Sequence, residues 1–108
     1  MSFEVVYTDN FEREFTRLAK KYRSIVGDLE KLISTLEENP SQGIALGKDC
    51  YKIRMSVSSK GKGKSGGARI ITHVLVTGKM VYLLSIFDKS NQENITEKEL
   101  EAILKQIK

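Results

Sequence analysis

Lys52 and Arg54 stand two apart in a segment of alternating polarity, and Arg69 opens the next apolar segment. Residues two apart on a strand share a face, so Lys52 and Arg54 present paired positive charge. A guanidinium matches phosphate oxygens as a planar fork, and a lysine adds a point charge. Between the two segments lies SSKGKGKSGG, residues 58–67, in which Lys60, Lys62 and Lys64 alternate with glycine and serine. These residue types suit the holding of a polyanionic backbone, RNA above all. On the second segment Arg69, Ile71, His73 and Leu75 share a face. If that face lies beside Lys52 and Arg54, three cations and one imidazole line a single concave surface. Lys48 heads the first segment and extends the set; Lys89, which closes the last strand after Asp88, either joins as a fourth cation or pairs with Asp88. His73, the only histidine, suits proton transfer if it sits near those cations. The bland alternatives are a charged face kept solvated, a lysine loop that is merely long, and a structural histidine.

The distribution of charge supports the first reading. Residues 48–79 hold 8 basic and 1 acidic residues, a local +7 within a chain of net +4. Residues 1–47 carry −2 (6 basic, 8 acidic) and residues 80–108 carry −1 (4 basic, 5 acidic). A basic middle between mildly acidic ends is the electrostatic footprint expected of a phosphate-binding surface. Other chemistries find no support. Gly63-Lys64-Ser65 resembles the end of a phosphate-binding P-loop, but Ser58 stands where its first glycine belongs and a strand follows. No His, Cys and carboxylate spacing suits a metal, and no Ser/His/Asp arrangement is visible. No cofactor or metal is expected. The single cysteine, Cys50, excludes an internal disulfide and reads as a packed, inert thiol. No apolar run approaches the ~20 residues of a membrane span, and the N-terminus lacks a signal-peptide pattern. A cytoplasmic protein with no membrane partner is expected.

The elements that must position these groups follow from periodicity. At 108 residues the chain suits one domain, residues 1–108, large enough to bury a core. FEVVYT, residues 3–8, reads as a short strand, and Asp9 or Asn10 can cap the helix after it. Phe11, Phe15, Leu18, Ala19 and Tyr22 recur at helical spacing. A second helix begins at Ser24 with Ile25, Leu29, Leu32, Ile33 and Leu36 as its stripe, and Asn39-Pro40 stops it. Residues 41–47 read as a small-residue connection. The period then becomes two: Tyr51, Ile53, Met55 and Val57 face inward, and Lys52 and Arg54 face out. Residues 68–76 form a strand, Thr77-Gly78 a turn, and residues 79–87 a strand apolar on both faces and therefore central. Thr96 to Glu99 matches a capping box before Leu100, Ile103, Leu104 and Ile107. The expected fold is α+β, in the order β-α-α-β-β-β-α: a small antiparallel sheet with an N-terminal helical hairpin on one face.

That order, with the segments DCYKIRMSV and GGARIITHVLVTGKMVYLLSIFDKS, resembles the RelE/ParE toxin superfamily of bacterial toxin–antitoxin systems. The run GKSGGARII followed by VYLLSIFDKSNQENIT is similar to the HigB-like RelE toxins, and YKIR to the YKIK-type strand of RelE itself. The resemblance implies a metal-independent mRNA interferase that enters the ribosomal decoding site. There a 2′-hydroxyl attacks the adjacent phosphate and leaves a cyclic phosphate. A cognate antitoxin protein, mRNA and the ribosome are the implied partners. Carried across position by position, Lys52 is the implied base or phosphate contact. Arg54 replaces a lysine and suits phosphate, because arginine stays protonated. Arg69 falls on the transition-state arginine. Two positions depart from the pattern. Ser90 follows Lys89 where RelE has an arginine, and Thr96 stands near the place of its C-terminal tyrosine. The proton donor is therefore sought in His73 or Lys89. A gyrase inhibitor of ParE type and a non-catalytic RNA-binding module remain alternatives on the same fold.

Overall fold

A computed structural model describes residues 2–61, 63, 66–92 and 94–107. In chain order it contains β1 (Glu4–Tyr7), α1 (Asp9–Lys21), α2 (Ile25–Glu38), β2 (Ile44–Gly47), β3 (Cys50–Met55), a 3-10 turn (Ser58–Lys60), β4 (Ala68–Leu75), β5 (Met80–Asp88) and α3 (Glu97–Leu104). The strands form one sheet in the order β1-β5-β4-β3-β2. The α+β class and the element order match the reading from sequence, with two corrections. The sheet is mixed, because β1 runs parallel to β5. It also gains an edge strand, β2, from the stretch read as a connection. Both follow from pairing needs. Buried strand edges must find partners for their backbone groups, and β1 supplies one to the apolar β5.

Two apolar layers sandwich the sheet. On one side Phe11 of α1 and Ile25, Leu29 and Leu36 of α2 pack with Ile53, Met55, Ile70, Leu83 and Ile86. On the other, Leu100 of α3 packs with Cys50, Ile71, Leu84 and Phe87. The inward phase of Ile53 and Met55 is as the alternation predicts. The capping box of α3 is formed, with the Thr96 hydroxyl accepting from the Glu99 N–H and the Glu99 carboxylate accepting from the Thr96 N–H. At α1 the cap is Thr8 rather than Asp9 or Asn10, its hydroxyl accepting from the Phe11 N–H.

Asn10 is thereby free for another task. Ile71 pairs with Ser85 but Thr72 with Leu83, so Leu84 is an extra residue, a β-bulge in β5. The side chain of Asn10 donates to the Leu84 carbonyl at 2.8 Å. Glu14, one turn on, accepts from the Ile86 N–H at 3.1 Å and from the Ser85 hydroxyl at 2.7 Å. Thr8 donates its N–H and its hydroxyl to the Leu83 carbonyl. The first turns of α1 therefore satisfy the backbone groups that the bulge would leave open.

The start of the lysine-rich segment is docked rather than loose. Asp28 of α2 accepts from the Ser58 N–H at 2.9 Å and the Ser58 hydroxyl at 2.7 Å, and the Ser24 hydroxyl accepts from the Ser59 N–H at 2.8 Å. Burial works against the Asp28 carboxylate, but these donors outweigh it and hold its pKa below the ordinary value. At the other end Gly67 is required for close approach, not for flexibility. A Cβ there would lie 2.1 Å from the Met55 carbonyl oxygen. We expect Gly67→Ala to push β4 off β3 and to lower stability by about 1–3 kcal/mol, the usual range for overpacking. Urea unfolding followed by circular dichroism measures this, and an unchanged midpoint would contradict the close packing.

Candidate nucleic-acid interface

The register of β3 against β4 decides which cations meet. Arg54 pairs directly with Arg69, and Lys52 with Ile71. Directly paired residues share a face with Cα atoms about 4.5–5.5 Å apart, so Lys52, Arg54 and Arg69 lie on one side of the sheet. It is the side of α3, since Phe87, paired with Arg69, packs in the α3 layer. The Lys89 N–H donates to the Gly67 carbonyl at 3.1 Å, extending the ladder past Asp88. Strand alternation then directs Lys89 to the side of Phe87 and Arg69. The three strand cations expected to converge share that face.

Their environments differ. Arg54 is exposed, and Lys52 is partly covered and donates to the side-chain carbonyl of Asn94 at 3.0 Å. Asn94 belongs to the connection between β5 and α3, and nothing in the sequence signalled its role. Arg69 is 3% exposed, with its guanidinium donating to the Ala68 carbonyl at 3.3 Å among its contacts. Arg54 and Arg69 are thus placed opposite each other, where two guanidinium groups can meet one anion.

Three other candidates fall elsewhere. His73 pairs with Cys50, four residues along β4 from Arg69, roughly 13 Å by strand rise. Ile71 lies between them in the α3 layer. The imidazole thus stands apart from the cations, with its Nδ1 3.5 Å from the Cys50 sulfur. Burial, with Asp49 adding to it, pushes the Cys50 thiol up to about 11, which fits an inert packing role. Lys48 is at that same far end, paired with Glu101 at 2.8 Å and Glu97 at 3.7 Å of α3. Lys60 is not a solvated clamp. Its ammonium, with a side chain 5% exposed, meets the Asp88 carboxylate at 2.7 Å. Lys62 and Lys64 lie outside the described residues.

Asp88, the alternative partner of Lys89, serves the opposite side of the sheet. Besides Lys60 it accepts from the Tyr22 hydroxyl at 2.5 Å and the Ser90 N–H at 2.9 Å, with Lys21 at 3.8 Å. The available signal was an acid ending a strand of buried residues, which demands partners. Burial pushes the carboxyl pKa up, but Lys60, Tyr22 and Ser90 together outweigh it and hold it well below the usual carboxylate range.

A mixed five-stranded sheet, a helical pair on one side and a short C-terminal helix on the other define the RelE-type fold. The free-state structure of an E. coli RelE mutant aligns over 100% of both chains with a TM-score of 0.66 and 19% identity. The isolated E. coli RelE toxin aligns over 96% of this chain and 98% of that one, with a TM-score of 0.61 and 19% identity. A RelE mutant in complex with an antitoxin RelBc peptide aligns over 94% and 95%, at 0.58 and 22%. The family model described as the RelE toxin of the RelE/RelB toxin–antitoxin system matches residues 10–108. The chain belongs to the RelE toxin family.

The Asp88 cluster gives a stability prediction separate from function. The carboxyl pKa is lower folded than unfolded, where it is near 3.9. Its contribution is therefore complete well above that value and is lost as pH falls toward the folded pKa. Asp88→Asn, which leaves Lys60 buried opposite a neutral amide, is expected to cost about 3 kcal/mol at pH 7 and to flatten the acid limb. Urea midpoints of both proteins from pH 7 down to pH 2 test it: parallel curves would refute the linkage.

Proposed function

We propose that this RelE-family toxin is a metal-independent endoribonuclease that cuts mRNA in the ribosomal decoding site and is neutralised by a cognate antitoxin. The observation that carries this reading is the Arg54–Arg69 pair beside Lys52 on one sheet face. In the reaction the 2′-oxygen of one nucleotide bonds to the adjacent phosphorus and the bond from phosphorus to the 5′-oxygen breaks. The products are a 2′,3′-cyclic phosphate and a 5′-hydroxyl. Arg54 and Arg69 neutralise charge building on the phosphoryl oxygens. Lys52 stands where the 2′-hydroxyl proton is taken or a phosphate held. Lys89 is the remaining donor for the departing oxygen, since His73 is too distant. Arg69, 3% exposed, meets phosphate only once RNA binding exposes its guanidinium, which couples binding to exposure of the charge. The antitoxin reading rests on the family and on the RelE complex with an antitoxin peptide. No helix among the described residues is long and apolar enough to cross a membrane, and ribosomes as target place the site of action in the cytoplasm.

Induced expression is expected to arrest growth and to create new 5′-hydroxyl ends within translated messages. Arg69→Ala should reduce cutting at least ~100-fold, the scale of losing one charge-stabilising donor. Mapping mRNA 5′ ends before and after induction measures both. Accumulated cleaved DNA with intact messages would replace this reading with gyrase inhibition. Ribosome and RNA binding with no cuts would leave a non-catalytic module.

A further inference from the structure

β2 pairs only with residues 50–52 of β3, whereas β4 pairs with residues 50–55. The outer edge of β3 beyond Lys52 is therefore uncovered by β2. A groove of about 320 Å³ runs along it, bounded by α2. Arg54, Met55 and Ser56 line it in succession. Side chains on a strand alternate, so three consecutive residues at one wall mean that the strand's own edge is the wall. Facing it are Lys31 and Thr35 of α2, and Gln42 closes one end.

The walls are fixed. The Gln42 amide donates to the Thr35 hydroxyl at 2.9 Å and to the Asn39 carbonyl at 3.1 Å. Both donors are engaged within the protein, which leaves the amide oxygen as the group on offer. Gly43 anchors the next residue, because a Cβ there would lie 2.5 Å from the Lys52 carbonyl oxygen. Asp28, also on the lining, has its carboxylate turned to Ser58 and Ser24.

We propose that this groove is a nucleotide subsite that takes one base and flanking phosphate of single-stranded RNA leaving the cationic face. Arg54 belongs to both surfaces and joins them. Unstacked bases are read on their hydrogen-bonding edges by main-chain and amide groups. The β3 edge and the Gln42 oxygen supply such groups, and the oxygen favours a base with an exocyclic amine (adenine, cytosine or guanine) over uracil. Lys31 holds the phosphate. A peptide adding to the same edge would want pockets for alternate apolar side chains, and Leu32 and Met55 are the apolar lining here. The inference extends the RNA-cutting reading but stands on binding, not on cleavage.

The test uses 2′-O-methyl oligonucleotides, which cannot be cut, in fluorescence anisotropy with the full chain. Wild type is expected to bind oligo-A or oligo-C more tightly than oligo-U. Gln42→Ala should erase that preference with its melting temperature unchanged. Lys31→Ala should weaken binding to every sequence about tenfold, as expected for one charged hydrogen bond, and lower the salt slope by about one. Equal affinity for all bases in wild type, variants that bind like wild type, or no oligonucleotide binding would each overturn the subsite. Variants that weaken binding of an antitoxin peptide instead would reassign the groove to a protein partner. Mapping of cut sites with Arg69→Ala alongside reports on the nuclease reading separately.

Discussion

The bulge at Leu84 decides which side of the sheet each group of β5 faces. A one-residue shift in a strand moves every later side chain to the other face. With the extra residue in place, Leu83 and Ile86 face α1 and α2, and Leu84 and Phe87 face α3. Asp88 then falls on the helical side, where Lys60 and Tyr22 meet it. The bulge persists because Asn10 and Glu14 of α1 satisfy its open backbone groups. The docking of the first helix and the placement of Asp88 are thus one constraint.

The basic middle of the chain divides into two kinds of cation. Lys48 and Lys60 are held by carboxylates, one at the surface and one in a nearly dry site. A buried ion pair costs desolvation and repays it only with good geometry. The hydroxyl of Tyr22 and the N–H of Ser90 supply the additional bonds around Asp88. Lys52 rests on a neutral amide, and Arg54 is exposed. Net charge does not distinguish the two kinds; partners do.

Separation of these roles gives a coherent picture of a small toxin of the RelE family. The helical layer and the Asp88 cluster hold β4 and β5 in register from one side. The other side carries Lys52, Arg54 and Arg69. The clamped start of the lysine-rich segment and the tight fit of Gly67 fix both ends of the connection between β3 and β4. Arg54 and Arg69 are thereby kept opposite each other.

Local periodicity by itself determined the elements, the apolar faces, the capping box of α3 and the shared phase of Lys52 and Arg54. Those features depend on spacing within one segment, which a sequence displays. It also carried the family resemblance that the fold and the family match bear out. Only the tertiary structure decided the rest. The pairing of Arg54 with Arg69 needs the register between two strands. The separation of His73 from them needs that register and the position of α3. The partner of Lys60 lies 28 residues away, on the helical side of the sheet. The strand β2 forms in a stretch with no alternation of its own, because the edge of β3 offered it hydrogen bonds. Charge and polarity are properties of a residue, but partnership and exposure belong to the packed chain, and in this protein they separate the buried Lys60, held by Asp88, from the exposed Arg54.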